Sequence, residues 1–307
     1  MHVLIREKHM ACAWQMKCFP QPDRSLDAAE TLMRDAFKIV AAVEDKLTEF
    51  RASPFNRINE QAGISPVAVD EEIWSVVQRA VAFGHRTGGV FNIAFATILR
   101  SKTPDDPGLR DLADFRKIEF NEADRTIFLP DRRMRVSLGG IGKGYAVDKA
   151  FAFLRQNGLV NFMVNGSGDL RVHSLPDAPR PWRMGIQNPF EPQKQIGMVH
   201  MRNNALASSG NYIKRGHILS NAHEIMAATV QGDTCEFCDM WGTYLMCLPL
   251  ATALSELDRE NLFGILVDNQ AGVHLSRTAR AGRSEKTETG TPPVSRMPSP
   301  DNSAYSS

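Results

Sequence analysis

Ser137-Leu138-Gly139-Gly140-Ile141-Gly142-Lys143-Gly144-Tyr145-Ala146-Val147-Asp148-Lys149-Ala150 reads as the end of a strand, a glycine-rich turn and the start of a helix. Arg135-Val136-Ser137-Leu138 has the β-branched alternation of a strand. Tyr145, Ala146, Ala150, Phe151 and Leu154 recur at helical spacing and run towards a stop at Gly158. Four glycines within residues 139–144 remove the Cβ atoms that would keep a ligand from the backbone. The free N–H groups of a helix start can then face an anion, and Lys143 adds a positive charge, so a phosphate or diphosphate is a natural ligand. The same turn is compatible with a plain strand-to-helix crossover carrying a solvated lysine. It is neither a P-loop nor the GxGxxG dinucleotide fingerprint.

Outward from this stretch, 307 residues suffice for one large or two small domains with a substantial core. A hydrophobic share of 43% and a charged share of 23% are those of an ordinary globular protein. A net charge of +1 gives no electrostatic argument for nucleic acid or an anionic membrane. The longest apolar runs are strand-sized, so no membrane-crossing segment is expected. Met1–His9 carries charges where a signal peptide needs its apolar region, which predicts a cytoplasmic protein. Five cysteines, an odd number, argue against a disulfide framework. Cys235-Glu236-Phe237-Cys238 is either half a zinc site, a redox pair, or two incidental small residues; without a second pair at finger spacing the last is favoured.

Along the chain, Met10–Phe19 alternates as a first strand, and Ser25 or Asp27 opens a helix with Ala28, Leu32, Ala36, Ile39, Val40, Val43 and Leu47 on its buried stripe. Residues 50–59 form a loop rich in Asn, Ser and Pro. A second helix begins at Asp70, buries Ile73, Trp74, Val77, Ala80 and Phe83, and stops at Thr87-Gly88-Gly89. Ile118–Phe120 and Thr126–Leu129 make a hairpin. Strands are predicted at 161–165, 170–172, 182–186, 197–201, 204–208, 226–230 and 263–267, with a helix from about Cys238 to Leu257. From about Thr278 large apolar residues almost vanish, so residues 278–307 are expected to be a disordered tail behind one α+β domain, a single mixed α/β unit over 1–277.

Taken together, these motifs resemble the ApbE family of FAD:protein FMN transferases, from about Met10 to Val273. Phe50–Asn59 is similar to the family's early Ser/Asn loop, and Gly89-Val90-Phe91-Asn92 to its Gly-x-Phe-Asp. Leu138–Asp148 is close to Leu-Gly-Ala-Ile-Ala-Lys-Gly-Tyr-Ala-Val-Asp, and Asn165–Asp169 to Asn-x-Gly-Gly-Asp. Trp182…Gly185-Ile186-Gln187-Asn188-Pro189 resembles Trp-x-x-Gly-Ile-x-x-Pro, and Ala207–Tyr212 resembles Ala-Thr-Ser-Gly-Asp-Tyr. His217-Ile218 matches the start of His-Ile-Ile-Asp-Pro, and Asp239…Thr243 follows Ala-Asp-Ala-Leu-Ala-Thr from its Asp onward.

The resemblance implies a T-fold-related flavin transferase domain that moves FMN from FAD to a Ser or Thr hydroxyl of a partner protein, with Mg²⁺, releasing AMP. It implies Mg²⁺ ligands at Gly140 (by its carbonyl), Asp239 and Thr243. Asp239 and Thr243, four apart, share a helical face and can offer two oxygens to a hard cation, although Asp239 taken alone could equally be a helix cap. It implies an FAD pocket lined by Met10, Phe50, Val90, Phe91, Asn92, Ser137, Lys143 and Ile218, and His217 as the base for the acceptor hydroxyl. Three of the family's carboxylates are missing: their positions hold Asn92, Ser137 and Ser220. Asp148, Asp169 and Asp239 remain. The readings left open are a transferase, which could also hydrolyse FAD to FMN and AMP, and a flavin-binding relative without transfer; a zinc-linked module on Cys235 and Cys238 is more distant. No acceptor motif Asp-Gly-x-Ser/Thr-Gly-Ala-Thr occurs in the chain, so the acceptor is expected in trans.

Overall fold

Residues 3–9 are part of the fold, because β1 (Val3–His9) pairs antiparallel with β2 (Cys12–Cys18). The structure, a computed structural model, describes residues 2–19, 24–175, 181–210 and 224–287. β1 lies at the sheet edge, where Arg6 and Lys8 are tolerated on a strand that still buries Val3 and Ile5. Its hairpin turn is Met10-Ala11, both left-handed at φ 48° and 58°. A two-residue hairpin asks for this geometry, normally through Asn-Gly. With neither residue present to mark the turn, alternation alone places the first strand at Met10 and leaves β1 unmarked.

Ser25 caps α1 (Leu26–Leu47), its hydroxyl accepting from Ala28 N at 3.2 Å. The buried stripe is Ala29, Met33, Ala36, Phe37, Val40, Val43 and Leu47; Ala28 is exposed, and Leu32 and Ile39 are half-buried. The predicted stripe was therefore one residue early over the first two turns. α2 (Asn56–Glu60) and β3 (Val67–Ala68) follow. α3 (Glu71–Arg86) starts at Asp70 as predicted, the carboxylate accepting from Ile73 N at 2.9 Å. After the short helices α4 (Ala96–Leu99) and α5 (Pro107–Leu112), the expected hairpin forms as β4 (Glu119–Asn121) and β5 (Thr126–Phe128), which β3 extends to three strands.

The strand expected at Arg135–Leu138 does not form: residues 135–138 join no sheet. In place of a neighbouring strand they use side chains: Asn59 bonds both the N–H and the C=O of Val136, at 2.7 and 3.0 Å, and Thr97 Oγ1 accepts from Arg135 N at 3.0 Å. α6 (Gly142–Gln156) then runs to Gly158, left-handed at φ 72°, the predicted stop.

The next strands are β6 (Phe162–Gly166), β7 (Asp169–His173), β8 (Trp182–Gln187), β9 (Gln195–Met201), β10 (Ala205–Gly210) and β11 (Ile225–Gly232). The single helix expected from Cys238 to Leu257 is two, α7 (Cys235–Leu245) and α8 (Leu250–Arg259). Pro249 accounts for the break: it lacks an N–H and disfavours helical backbone just before it. β12 (Phe263–Asp268), β13 (Val273–Leu275) and α9 (Arg277–Thr287) end the described chain. α9 corrects the tail boundary at 278, because Ala279 is buried and Ser276 Oγ accepts from its N–H at 3.2 Å.

The main sheet has the order β1-β2-β6-β7-β10-β11-β12-β13, and every pairing is antiparallel. Alternation along its strands feeds two cores. Phe162, Val164, Ala205 and Ala207 face the helices, while Met163, Leu170, Val172 and Leu206 face the β8–β9 hairpin through Ile186, Val199 and Met201. Among the described residues no helix is long and apolar enough to cross a membrane.

Candidate functional site

The segment held by Asn59 and Thr97 delivers the glycine turn. Ser137 N donates to Ile93 O at 2.9 Å, and Leu138 O accepts from Ile141 N and Gly142 N at 3.1 and 2.7 Å. Gly140 makes a close approach: a Cβ there would lie 3.0 Å from Phe91 Cε2 and 3.1 Å from Thr243 Oγ1, so that either neighbour would have to give by a few tenths of an ångström. Glycine fits this approach to Thr243 without such a shift. One turn back along α7, Asp239 is buried, and its Oδ2 accepts from Gly144 N at 3.0 Å. Gly144 is also forced: a Cβ would lie 2.5 Å from Cys235 O.

The two helix starts cap one another. Asp239 of α7 takes the N–H of Gly144 on α6, and Asp148 of α6 takes those of Cys235 and Glu236 on α7 at 3.0 and 2.9 Å. Arg171 Nη1 pairs with Asp148 at 2.8 Å, and Arg79 forks onto Glu236 at 2.5 and 2.8 Å. Tyr145 OH donates to Glu72 Oε1 at 2.6 Å, which fastens α6 to α3. Ala146 and Val147, between these contacts, lie in the core.

Lys143, the charged residue of the turn, ion-pairs with Asp169 Oδ2 and lies 3.8 Å from Asp239 Oδ1. Asp169 is fully buried at the start of β7. Its place in Asn165–Asp169 singles it out in the sequence, whereas its pairing with Lys143, 26 residues away, does not show there.

The remaining predicted positions are spread over several elements. Met10 sits in the first hairpin turn. Phe50 is 76% exposed, with the Arg100 guanidinium 4.4 Å from its ring centroid, and Val90 is exposed as well. Phe91 is buried edge-on against Phe83, centroids 5.1 Å apart. Asn92 accepts from Ala94 N at 2.9 Å and donates to Ala113 O at 2.7 Å, and Ser137 Oγ accepts from Gly139 N at 3.1 Å. His217 and Ile218 lie outside the described residues. Cys235 and Cys238 are free and buried in the core, where burial raises both thiol pKa values.

Among the described residues no group of three or more His, Cys, Asp and Glu is placed to hold a metal ion. The set implied at Gly140, Asp239 and Thr243 is of another kind, one carboxylate with neutral oxygens. The contact of Gly140 with Thr243, one helical turn from Asp239, makes it a fit for a hard cation that keeps part of its water.

Comparison with known proteins bears on this arrangement. The chain is 27% identical over 279 residues to the FAD:protein FMN transferase of Klebsiella pneumoniae (strain 342), covering 82% of this chain and 86% of that protein. It is 23% identical over 266 residues to the enzyme of the same name from Vibrio cholerae serotype O1, covering 78% and 79%. Among solved structures, the flavin transferase ApbE from Vibrio cholerae superposes with a TM-score of 0.79 at 19% identity, over 92% of this chain and 99% of that one. The ApbE protein of Thermotoga maritima gives 0.78 at 18% identity over the same shares. These likenesses establish the α+β fold, and the ApbE family model matches residues 10–266, from the first hairpin to β12. The stretch that family model covers includes the glycine turn, both capping aspartates and Thr243, and the chain belongs to the ApbE family.

Proposed function

We propose that the protein is a Mg²⁺-dependent FAD:protein FMN transferase that acts on a Ser or Thr hydroxyl of a separate acceptor protein. The observation that carries this is the meeting of Gly140, Thr243 and buried Asp239 at the paired helix starts, with Lys143 beside them. The names of the Klebsiella and Vibrio relatives support the flavin-transfer part of this reading.

Asp239, Thr243 and the Gly140 carbonyl would hold Mg²⁺, which when bound supplies positive charge to the diphosphate of FAD. The glycine turn brings backbone N–H groups to the phosphates and Lys143 brings its ammonium. The acceptor hydroxyl oxygen attacks the FMN phosphorus, the bond from that phosphorus to the bridging oxygen breaks, and AMP leaves with that oxygen. His217 takes the hydroxyl proton. Met10, Phe50, Val90, Phe91, Asn92, Ser137 and Ile218 complete the flavin pocket.

The test is to incubate the purified protein with FAD and Mg²⁺, with and without a peptide carrying Asp-Gly-x-Ser/Thr-Gly-Ala-Thr. AMP release together with a flavin-sized mass gain on the peptide is expected. AMP without peptide labelling indicates hydrolysis to FMN, and neither product indicates a flavin-binding relative. Asp239→Asn preserves an acceptor for Gly144 N but removes the charge. It should raise the Mg²⁺ concentration needed for half-maximal AMP release by about tenfold or more, with FAD binding affected less. An unchanged Mg²⁺ requirement would return Asp239 to the role of a helix cap.

A further inference from the structure

Lys143 reaches two aspartates at once. Its ammonium pairs with Asp169 Oδ2 and stands 3.8 Å from Asp239 Oδ1, and the two acidic side chains are only 1% and 3% exposed. The lysine side chain itself is 34% exposed, so it enters the cluster from the open side. Asp169 Oδ1 is buried and has no hydrogen-bond partner among the described residues. Two buried carboxylates therefore share one cation, an arrangement whose cost falls as positive charge is brought to it.

We propose that Lys143 is the resident counter-ion of this site: its ammonium, tethered by Asp169, competes with a divalent cation for Asp239. This rests on the reading that Asp239 holds the metal. An ammonium about 4 Å from a ligand oxygen repels an incoming divalent ion, and the effect is strong where water is excluded. The diphosphate of FAD offers that ammonium another anion to pair with. FAD and metal then favour each other's binding, and by linkage the coupling is the same from either side. Without FAD, the lysine guards the aspartate and metal binding is weak.

The experiment counts free Mn²⁺ by electron paramagnetic resonance against the full chain, with and without FAD. Three proteins are compared: wild type, Lys143→Met, and Lys143→Met/Asp169→Asn. Wild type should bind Mn²⁺ weakly alone and at least tenfold more tightly with FAD. Lys143→Met should bind it at least tenfold more tightly than wild type without FAD, and should gain much less from FAD. Lys143→Met leaves two buried carboxylates without a cation, so its melting temperature should fall in EDTA and recover in Mn²⁺. A purely structural lysine would give a fall that Mn²⁺ does not repair. The double variant removes one charge of each sign and provides the same reading in a balanced site, with Mn²⁺ bound several-fold more tightly than by wild type. Unchanged or weaker Mn²⁺ binding in both variants, beside a wild type that binds Mn²⁺ and releases AMP, overturns the counter-ion role alone. A wild type that binds no Mn²⁺ even with FAD overturns the metal assignment with it.

Discussion

Asn59 takes the place of a neighbouring strand for Val136, bonding both of its backbone groups in a buried setting. Asn59→Ala leaves a buried N–H and a buried C=O unsatisfied, and should cost about 3 kcal/mol. A urea titration against wild type checks this, with a shift in midpoint at constant slope as the expected form. The pair joins positions 77 residues apart, which local spacing does not reveal. What spacing did reveal was the four-residue interval of Asp239 and Thr243 and the charge at Lys143, because those depend on one turn of helix or on one loop. Asp169 was visible as a motif member, whereas its partner was not. Asn92 has a local role that a carboxylate could not fill: its amide donates to Ala113 O.

At the level of elements, Glu72 of α3 gathers Lys46 of α1 with Tyr145 and Lys149 of α6. Burial opposes its ionisation, but the bonds to Lys46, Tyr145 and Lys149 outweigh burial and bring its pKa from 4.5 down to about 2. The folded value lies below the unfolded one. Its contribution is therefore whole above pH 4.5 and disappears as the pH falls towards 2. Glu72→Gln should be about 1–2 kcal/mol less stable than wild type at pH 6, with the difference closing across that window in chemical denaturation at stepped pH. Elements with strong ends were legible: α1 from Ser25, α3 from Asp70, and the stop of α6 at Gly158. β1 was hidden by a turn without Gly or Asn, and the division between α7 and α8 was passed over despite Pro249. α9 was missed because Arg277–Thr287 has few apolar residues; one buried alanine and Ser276 hold it in place. A chain ending at 276 should melt about 2–4 °C below one ending at 287, by calorimetry, for the loss of about 1 kcal/mol.

For the molecule as a whole, the α+β class followed from alternation and helical periodicity, and the order of the strands did not. β2 beside β6, and β7 beside β10, are pairings that only the closed chain defines. The reciprocal caps of α6 and α7 are of the same kind. They join Gly144 to Asp239 across 95 residues and Asp148 to Cys235 across 87. Closing loops of that length is entropically slow, so contacts of this separation belong late in the folding reaction. Ligands that bind at the joint then stabilise the finished molecule without stabilising the barrier before it. FAD with Mg²⁺ should leave the refolding rate within about twofold while slowing unfolding by the full binding factor, as stopped-flow fluorescence can measure. A chain released with its last third still unmade lacks α7 altogether, so neither cap of the α6–α7 joint can close and the amide of Gly144 and the carboxylate of Asp148 are left without their partners.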